Sequence, residues 1–438
     1  MKSRNEETIS LVYALLMATV FLLAIGPDGY ENITEVKWGA FLVLTAAYLL
    51  ALTVWAIRQR PKLLHRPSLP QCCLLAYLAL TVLSALCSPW RGTALLGGDR
   101  CDGALAALAY VLAALALSET AKPGKPLLYA AAGALTAYAL VCILQLCDRN
   151  PLGLFPGELR WSGRGVDYNG AFLGFTGNAD LSAAVLCMGA AVCFGGALTG
   201  LGLWLLIPAA MTITVLIWAG LQGGMLGAVG GILLALPGLR KWTKKQTGVY
   251  AACAALLLAA GILAVYLLSL EGTLGELHAI LHGELSDDFA TGRVYIWRSV
   301  LPFLKERPLL GSGPDTLGLR AELYFEKQTA SGLLRREIDC AHSEYLNVAV
   351  NQGISALLCL MAGTVSALFR GRKQGSRAAA ILRGAICAYA LQALTGITMP
   401  GSTAFFWLCL GLLCACERNE RNHPSRRVRE DETWTLPS

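Results

Sequence analysis

Apolar and polar positions alternate along this chain in blocks of tens of residues. Twelve apolar blocks approach or reach the roughly 20 residues that a helix needs to cross a bilayer. They are 9–25, 38–57, 71–87, 103–118, 126–146, 180–198, 201–219, 223–238, 248–269, 345–369, 378–397 and 402–416. Several, including 179–200 and 223–236, are rich in Gly and Ala, the residues that let helices approach closely in lipid. The pattern predicts an all-α polytopic integral membrane protein of about 12 transmembrane helices, a single membrane domain over 1–438. One polar stretch is too long to be a turn. Residues 271–342 are expected to form one large extracytoplasmic loop between two spans, and the chemistry is expected there.

Charge placement assigns the sides. Basic residues crowd alternate connections: Arg58, Arg60, Lys62 and Arg66; Lys122 and Lys125; Arg240, Lys241, Lys244 and Lys245; Arg370, Arg372, Lys373 and Arg377. The tail 417–438 adds Arg418, Arg421, Arg426, Arg427 and Arg429. The other connections are mixed or acidic, as at Asp28 to Glu35. Positive loops stay inside, so both termini are read as cytoplasmic and 271–342 as facing outward. No small-residue cleavage pattern follows the first apolar run, which is therefore read as an uncleaved span.

Composition agrees. Hydrophobic residues make up 55% of the 438 and charged residues only 15%, against about 25% charged in soluble domains. Mean hydropathy is +0.54. The net charge of +7 is spread over the inside loops, which makes it a topology signal and not a nucleic-acid footprint. Membrane lipids are the expected surroundings, with no nucleic-acid partner. Most of the fifteen cysteines lie in apolar runs, where Cys acts as a small hydrophobe. Cys87, Cys101, Cys147 and Cys340 fall near the outer face, where a disulfide is conceivable.

Soluble-enzyme motifs are missing. There is no Walker loop, GxSxG, HExxH or dinucleotide fingerprint, so ATP-driven transport by this chain alone is disfavoured. His278 and His282 share a helical face, but a pair at that spacing in a polar stretch reads as solvated surface, and no metal or other cofactor is expected. His342 stands where the polar stretch re-enters the membrane, ahead of Ser343, Glu344 and Tyr345. A neutral imidazole there can take a proton from a hydroxyl near neutral pH; the plain alternative is an interfacial His at a helix start. The outer arginines Arg100, Arg160, Arg164, Arg293 and Arg298 offer planar, permanently charged forks suited to phosphate. Their plain alternative is headgroup or Asp/Glu pairing.

Taken together, Gly292-Arg293 with Trp297, Leu310-Gly-Ser-Gly-Pro314, Ala341-His342-Ser-Glu-Tyr-Leu346 and the segment 172–186 resemble the O-antigen ligase and O-antigen polymerase family. The resemblance covers the span layout and the motifs from about 172 to 353. It implies an inverting, metal-independent glycosyltransferase in a bacterial cytoplasmic membrane. Such an enzyme moves an undecaprenyl-diphosphate-linked glycan onto the hydroxyl of a glycan or lipid acceptor at the outer face. By the same resemblance His342 is the general base and Arg293 holds the diphosphate, with Tyr345 and Asn347 along the acceptor path. One position departs. Where the family has Ser-Arg-Gly, this chain reads Leu221-Gln222-Gly223, and Gln brings hydrogen bonds but no charge. Either Arg160, Arg164 or Arg100 supplies that charge or the diphosphate site is weakened. Two rivals remain: a lipid-linked oligosaccharide flippase, which should carry charges within its spans, and an inactive envelope-assembly relative, for which Gln222 argues.

Overall fold

The computed structural model describes residues 5–59, 66–154, 173–239, 242–268, 271–320, 323–329, 332–370 and 376–422. Long apolar runs fold as helices because hydrocarbon offers their backbone no outside partner. In chain order they are α1 (Asn5–Leu16), α2 (Ile33–Gln59), α3 (Leu69–Leu86), α4 (Arg91–Leu96), α5 (Ala104–Thr120), α6 (Lys125–Leu146), α7 (Ala179–Leu198), α8 (Leu206–Trp218) and α9 (Gln222–Leu239). The second half holds α10 (Lys244–Leu267), α11 (Gly272–Leu281), α12 (Arg293–Val300), α13 (Pro302–Glu306), α14 (Leu317–Arg320), α15 (Glu344–Gln352), α16 (Ile354–Phe369), α17 (Arg377–Gln392) and α18 (Pro400–Asn422). Two strands, β1 (Tyr324–Thr329) and β2 (Gly332–Glu337), pair antiparallel with Tyr324 opposite Glu337 and Thr329 opposite Gly332.

Among the described residues, seven helices are long and apolar enough to cross a membrane: α2, α3, α6, α7, α9, α10 and α18. Three shorter apolar stretches join them: α5, Leu203–Trp218 and α16. Length alone thus falls short of the expected twelve, and breaks in the helices explain part of the gap. The run 9–25 passes from α1 into a wider π turn at Met17–Phe21. The run 345–369 splits at Gly353, whose φ is +92°. That leaves α16 with 16 residues, about 24 Å at 1.5 Å per residue, below the ~30 Å hydrocarbon core. The stretch 271–342 carries α11 to α14 and the β1–β2 hairpin, within a fold that is otherwise helical.

The core sits around α18, buried from residue 400 to residue 417, and α7, most of whose residues are buried. On the perimeter, α10 buries only Val265. Close approach holds the interior together. A Cβ at Gly231 would lie 2.6 Å from the Ala388 methyl and 2.7 Å from the Gly384 carbonyl, so α9 and α17 touch through small residues spaced as lipid-buried helices prefer. Buried hydroxyls link other helices: Ser10 to Thr120 at 2.6 Å and Tyr13 to Thr45 at 3.0 Å. Lys37 is buried, and its Nζ donates to the Phe21 and Leu22 carbonyls at 2.6 and 2.9 Å, closing the end of the π turn.

Connections gather at two ends. At one, Tyr30 donates to Gly174 O (2.6 Å), Gly98 N–H to Asp315 (2.7 Å) and Arg293 to Asp180 (3.1 Å). At the other, Tyr129 reaches Leu201 O (2.7 Å), Asn419 reaches Ala121 O (3.2 Å) and Arg418 pairs with Glu119 (3.7 Å). The residues of 271–342 and the α17–α18 connection meet at the first end.

Candidate functional site

The site grows from the start of α7. Asn178 caps that helix, its side-chain oxygen accepting from Asp180 N–H (2.8 Å) and Leu181 N–H (3.3 Å), the usual service of an N-cap amide. Asp180 therefore stands in the first turn, where a carboxylate suits the helix dipole. Its own carbonyl accepts from Gln392 at the end of α17 (3.2 Å). The backbone of Asp180 is thus fixed from both sides.

Arg293 arrives from α12. The turn before it, Ala290-Thr291-Gly292, has φ of +52°, +61° and +83°. Left-handed backbone costs a non-glycine residue roughly 1–2 kcal/mol, and such strain persists only where surroundings enforce it. The turn aims the guanidinium at α7. Nη2 donates to both Asp180 oxygens at 3.1 Å, Nη1 to Ala290 O (3.2 Å) and Thr291 Oγ1 (3.0 Å), and Nε to Thr395 O (3.2 Å).

His342 completes the group. One turn after Arg293, the Trp297 indole donates to Ala341 O at 3.0 Å, while Ala341 N–H reaches Asn347 Oδ1 at 3.3 Å. Pinned on both sides, the next residue takes φ +44° and places its ring with Nδ1 3.7 Å from Asp180 Oδ2. The side chains of His342, Asp180 and Arg293 keep 31%, 28% and 17% exposure, enough for a ligand to touch all three. The Leu310–Pro314 motif serves as a brace. Gly313 N–H donates to Asn351 O at 2.7 Å and Ile354 N–H to Pro308 O at 2.8 Å, seating this segment against the break between α15 and α16.

A second charged group adjoins the first. Arg100 bonds Asp339 at 2.7 Å, three residues before His342. Burial alone would depress the His342 pKa, but Cys340 and the Asp180 carboxylate outweigh it and push the ring up to about 9. Burial likewise opposes ionisation of Cys340, yet Arg100 and His342 hold its thiol below the ordinary value. Asp339 is held down against burial by Arg100. Burial raises Asp315, and burial with the Asp315 charge pushes Asp102 up to about 6.

Of the residues singled out from sequence, Arg293 and His342 share one carboxylate, and Arg100 lies next to them through Asp339. Others stand apart. Arg298 pairs with Asp287 at 2.7 Å with both side chains half exposed, and Tyr345 OH is spent on Ala390 O at 2.7 Å. Gln222 is exposed and bonds Thr273, although its neighbour Gly223 lies against Thr395, the residue whose carbonyl holds Arg293. Arg160 and Arg164 lie outside the described residues. Cys87, Cys101, Cys147 and Cys340 carry free thiols. The His278 and His282 rings bond backbone oxygens of Val265 and His278. Sequence reasoning passed over Asp180 and Thr395, and weighed Cys340 only as a disulfide partner. An acid in a first turn reads as a dipole partner, so only the basic residues facing Asp180 could have flagged it.

The arrangement puts a titratable base and a fixed cation on either side of one carboxylate, at an accessible rim. Residues 207–361 match the family model described as O-Antigen ligase. The match runs from α8 into α16 and takes in Gln222, Arg293, Arg298, His342 and Tyr345, leaving Arg100 and Asp180 outside it. A comparison with curated proteins gave no match.

Proposed function

Taking the O-antigen ligase family domain over residues 207–361 as premise, we propose that this integral membrane protein is an inverting, metal-independent glycosyltransferase. Its donor is an undecaprenyl-diphosphate-linked glycan and its acceptor a hydroxyl on a glycan or lipid. The observation that carries the reading is the convergence of Arg293 and His342 on Asp180 at one end of the bundle. His342 takes the acceptor proton as the acceptor oxygen bonds the anomeric carbon. The bond from that carbon to the diphosphate breaks and its electron pair leaves with undecaprenyl diphosphate. Arg293 faces the charge that grows on the leaving group, where a fixed cation lowers the barrier most. Arg100, beside Asp339, is the described cation best placed to supply the charge that Gln222 lacks. The basic connections Lys122–Lys125, Lys244–Lys245 and Arg377 lie at the opposite end, which supports an outward-facing site and cytoplasmic termini.

The test compares cells making the wild-type protein or His342→Ala at matched membrane levels. Carrier-linked glycan building up outside, with loss of surface polymer or conjugate, is the expected result; product length then separates polymerase from ligase. Build-up inside the cell would make the chain a transporter. Unchanged polymer would make His342 structural. Gln222 favours one second reading, an inactive relative, and that last outcome would support it.

A further inference from the structure

Arg293 meets five acceptors: Thr395 O through Nε, Ala290 O and Thr291 Oγ1 through Nη1, and both oxygens of Asp180 through Nη2. Three of these acceptors differ from the two carboxylate oxygens in kind or in tether. Ala290 and Thr291 belong to the turn that carries Arg293, and Thr395 offers a neutral carbonyl. Asp180 alone brings charge, sits on a different helix and borders the accessible rim. A phosphate that approaches Arg293 at the rim meets the Nη2 edge where the Asp180 carboxylate already sits. To bond that edge it competes with the carboxylate, the partner it resembles in charge and shape.

We infer that Asp180 is an internal counter-ion that the donor's diphosphate displaces from Arg293, and that it is a positioning residue for His342. At rest one carboxylate holds both working side chains in register and leaves no lone cation at the rim. When the diphosphate takes Arg293, Asp180 stays, fixed by Asn178 and Gln392, and its negative charge faces His342 alone. Donor entry is thereby coupled to the charge felt by the base. The groups facing His342 are Asp180 from α7, Arg293 from α12, Arg100 from the α4–α5 connection, and Cys340 and Asp339 on its own segment. Removing the Asp180 charge leaves Cys340 and Asp339 as the acidic groups near the ring. This inference rests on the proposed transferase reading, since it takes a diphosphate as the ligand of Arg293.

The experiment uses the full chain in nanodiscs and geranylgeranyl diphosphate as probe. Competition with the counter-ion predicts that Asp180→Asn binds the probe more tightly, on the order of tenfold. It also predicts that the acid limb of the transfer-rate profile moves to lower pH while the maximal rate falls. In an Arg293→Gln background, Asp180→Asn should leave probe binding unchanged, because the contested cation is gone. Probe binding equal to or weaker than wild type in Asp180→Asn, with an unchanged melting temperature, overturns the inference. So does tightening that survives Arg293→Gln. Failure of the underlying reading looks different: wild type would not bind the probe, or Arg293→Gln alone would bind it as well as wild type.

Discussion

The ionisation of His342 yields the most exposed prediction. A general base must be neutral before the proton arrives, and this ring is held up to about 9. At pH 7, two units lower, roughly one molecule in a hundred has it neutral. Transfer by the wild type should therefore rise about tenfold per pH unit through neutrality and level off near pH 9. Burial works against that elevation, and Cys340 is the largest influence in its favour, ahead of Asp180. Cys340→Ser keeps a hydrogen-bonding atom in a site only 2% exposed but replaces a thiol whose ionisation is favoured by Arg100 and His342 with a hydroxyl that stays neutral. The acid limb should then move down by about one unit, and the rate at pH 7 should rise by up to tenfold, with the plateau unchanged. Initial rates on a lipid-linked donor in vesicles, from pH 6 to 10, measure both. A profile flat from pH 6.5, or one that Cys340→Ser leaves in place, refutes the reasoning.

Stability carries the same sign. A pKa raised in the folded state means that protonated His342 stabilises the fold, fully below its ordinary value of 6.5 and no longer above about 9. The full shift corresponds to at most about 3 kcal/mol, less after screening, because the side chain is 31% exposed. The melting temperature of purified wild type should fall between pH 6.5 and 9, and that fall should shrink in Cys340→Ser.

Three further substitutions separate site from scaffold. Arg298→Ala removes only a half-exposed pair with Asp287, worth about 0–1 kcal/mol, so transfer should change less than about twofold; a large loss in a transfer assay would return Arg298 to the site. Gly353→Ala places a methyl carbon 2.0 Å from the Leu309 carbonyl oxygen at φ +92°, which should cost at least about 2 kcal/mol and be read as a lowered melting temperature. Gln222→Arg adds a cation next to Gly223, which abuts Thr395, and should strengthen geranylgeranyl diphosphate binding by an amount typical of a charged hydrogen bond, about 1.5–3 kcal/mol. No gain in a titration would mean that position 222 does not face the diphosphate.

Apolar runs were readable as helices because hydropathy and hydrogen-bonding demand act locally, residue by residue. The breaks were less readable. Gly353 follows Asn351-Gln352 in an otherwise apolar run, a local signal for a helix end, and the passage of Pro308–Gly313 across it, a contact some forty residues removed in sequence, fixes the break there. Arg293 and His342 were found because their motifs are compact. Arg298 was drawn in by nearness in sequence, yet five residues at about 100° each turn it roughly 140° away from Arg293 around α12. Asp180 lies more than a hundred residues from Arg293, in a turn whose composition any capped helix could share.

Charge balance connects these observations. With His342 protonated, Arg100, Arg293 and His342 face Asp180, Asp339 and a Cys340 held toward its thiolate. Arg100 pairs with Asp339, and Arg293 and His342 share Asp180, so the cations of the resting site are each met by a carboxylate. A lipid diphosphate adds negative charge to this balance, and Arg100 and Arg293 both already face a carboxylate. An arginine at position 222 would have supplied the missing cation; Gln222 does not. Binding here must then proceed by exchange of partners and not by addition to a vacant cation. Such a site should bind its donor weakly at rest and gain affinity from every nearby anion that is removed. Asp180→Asn and Asp339→Asn should each tighten diphosphate binding in titrations at one pH, and binding left unchanged or weakened in both would refute exchange of partners.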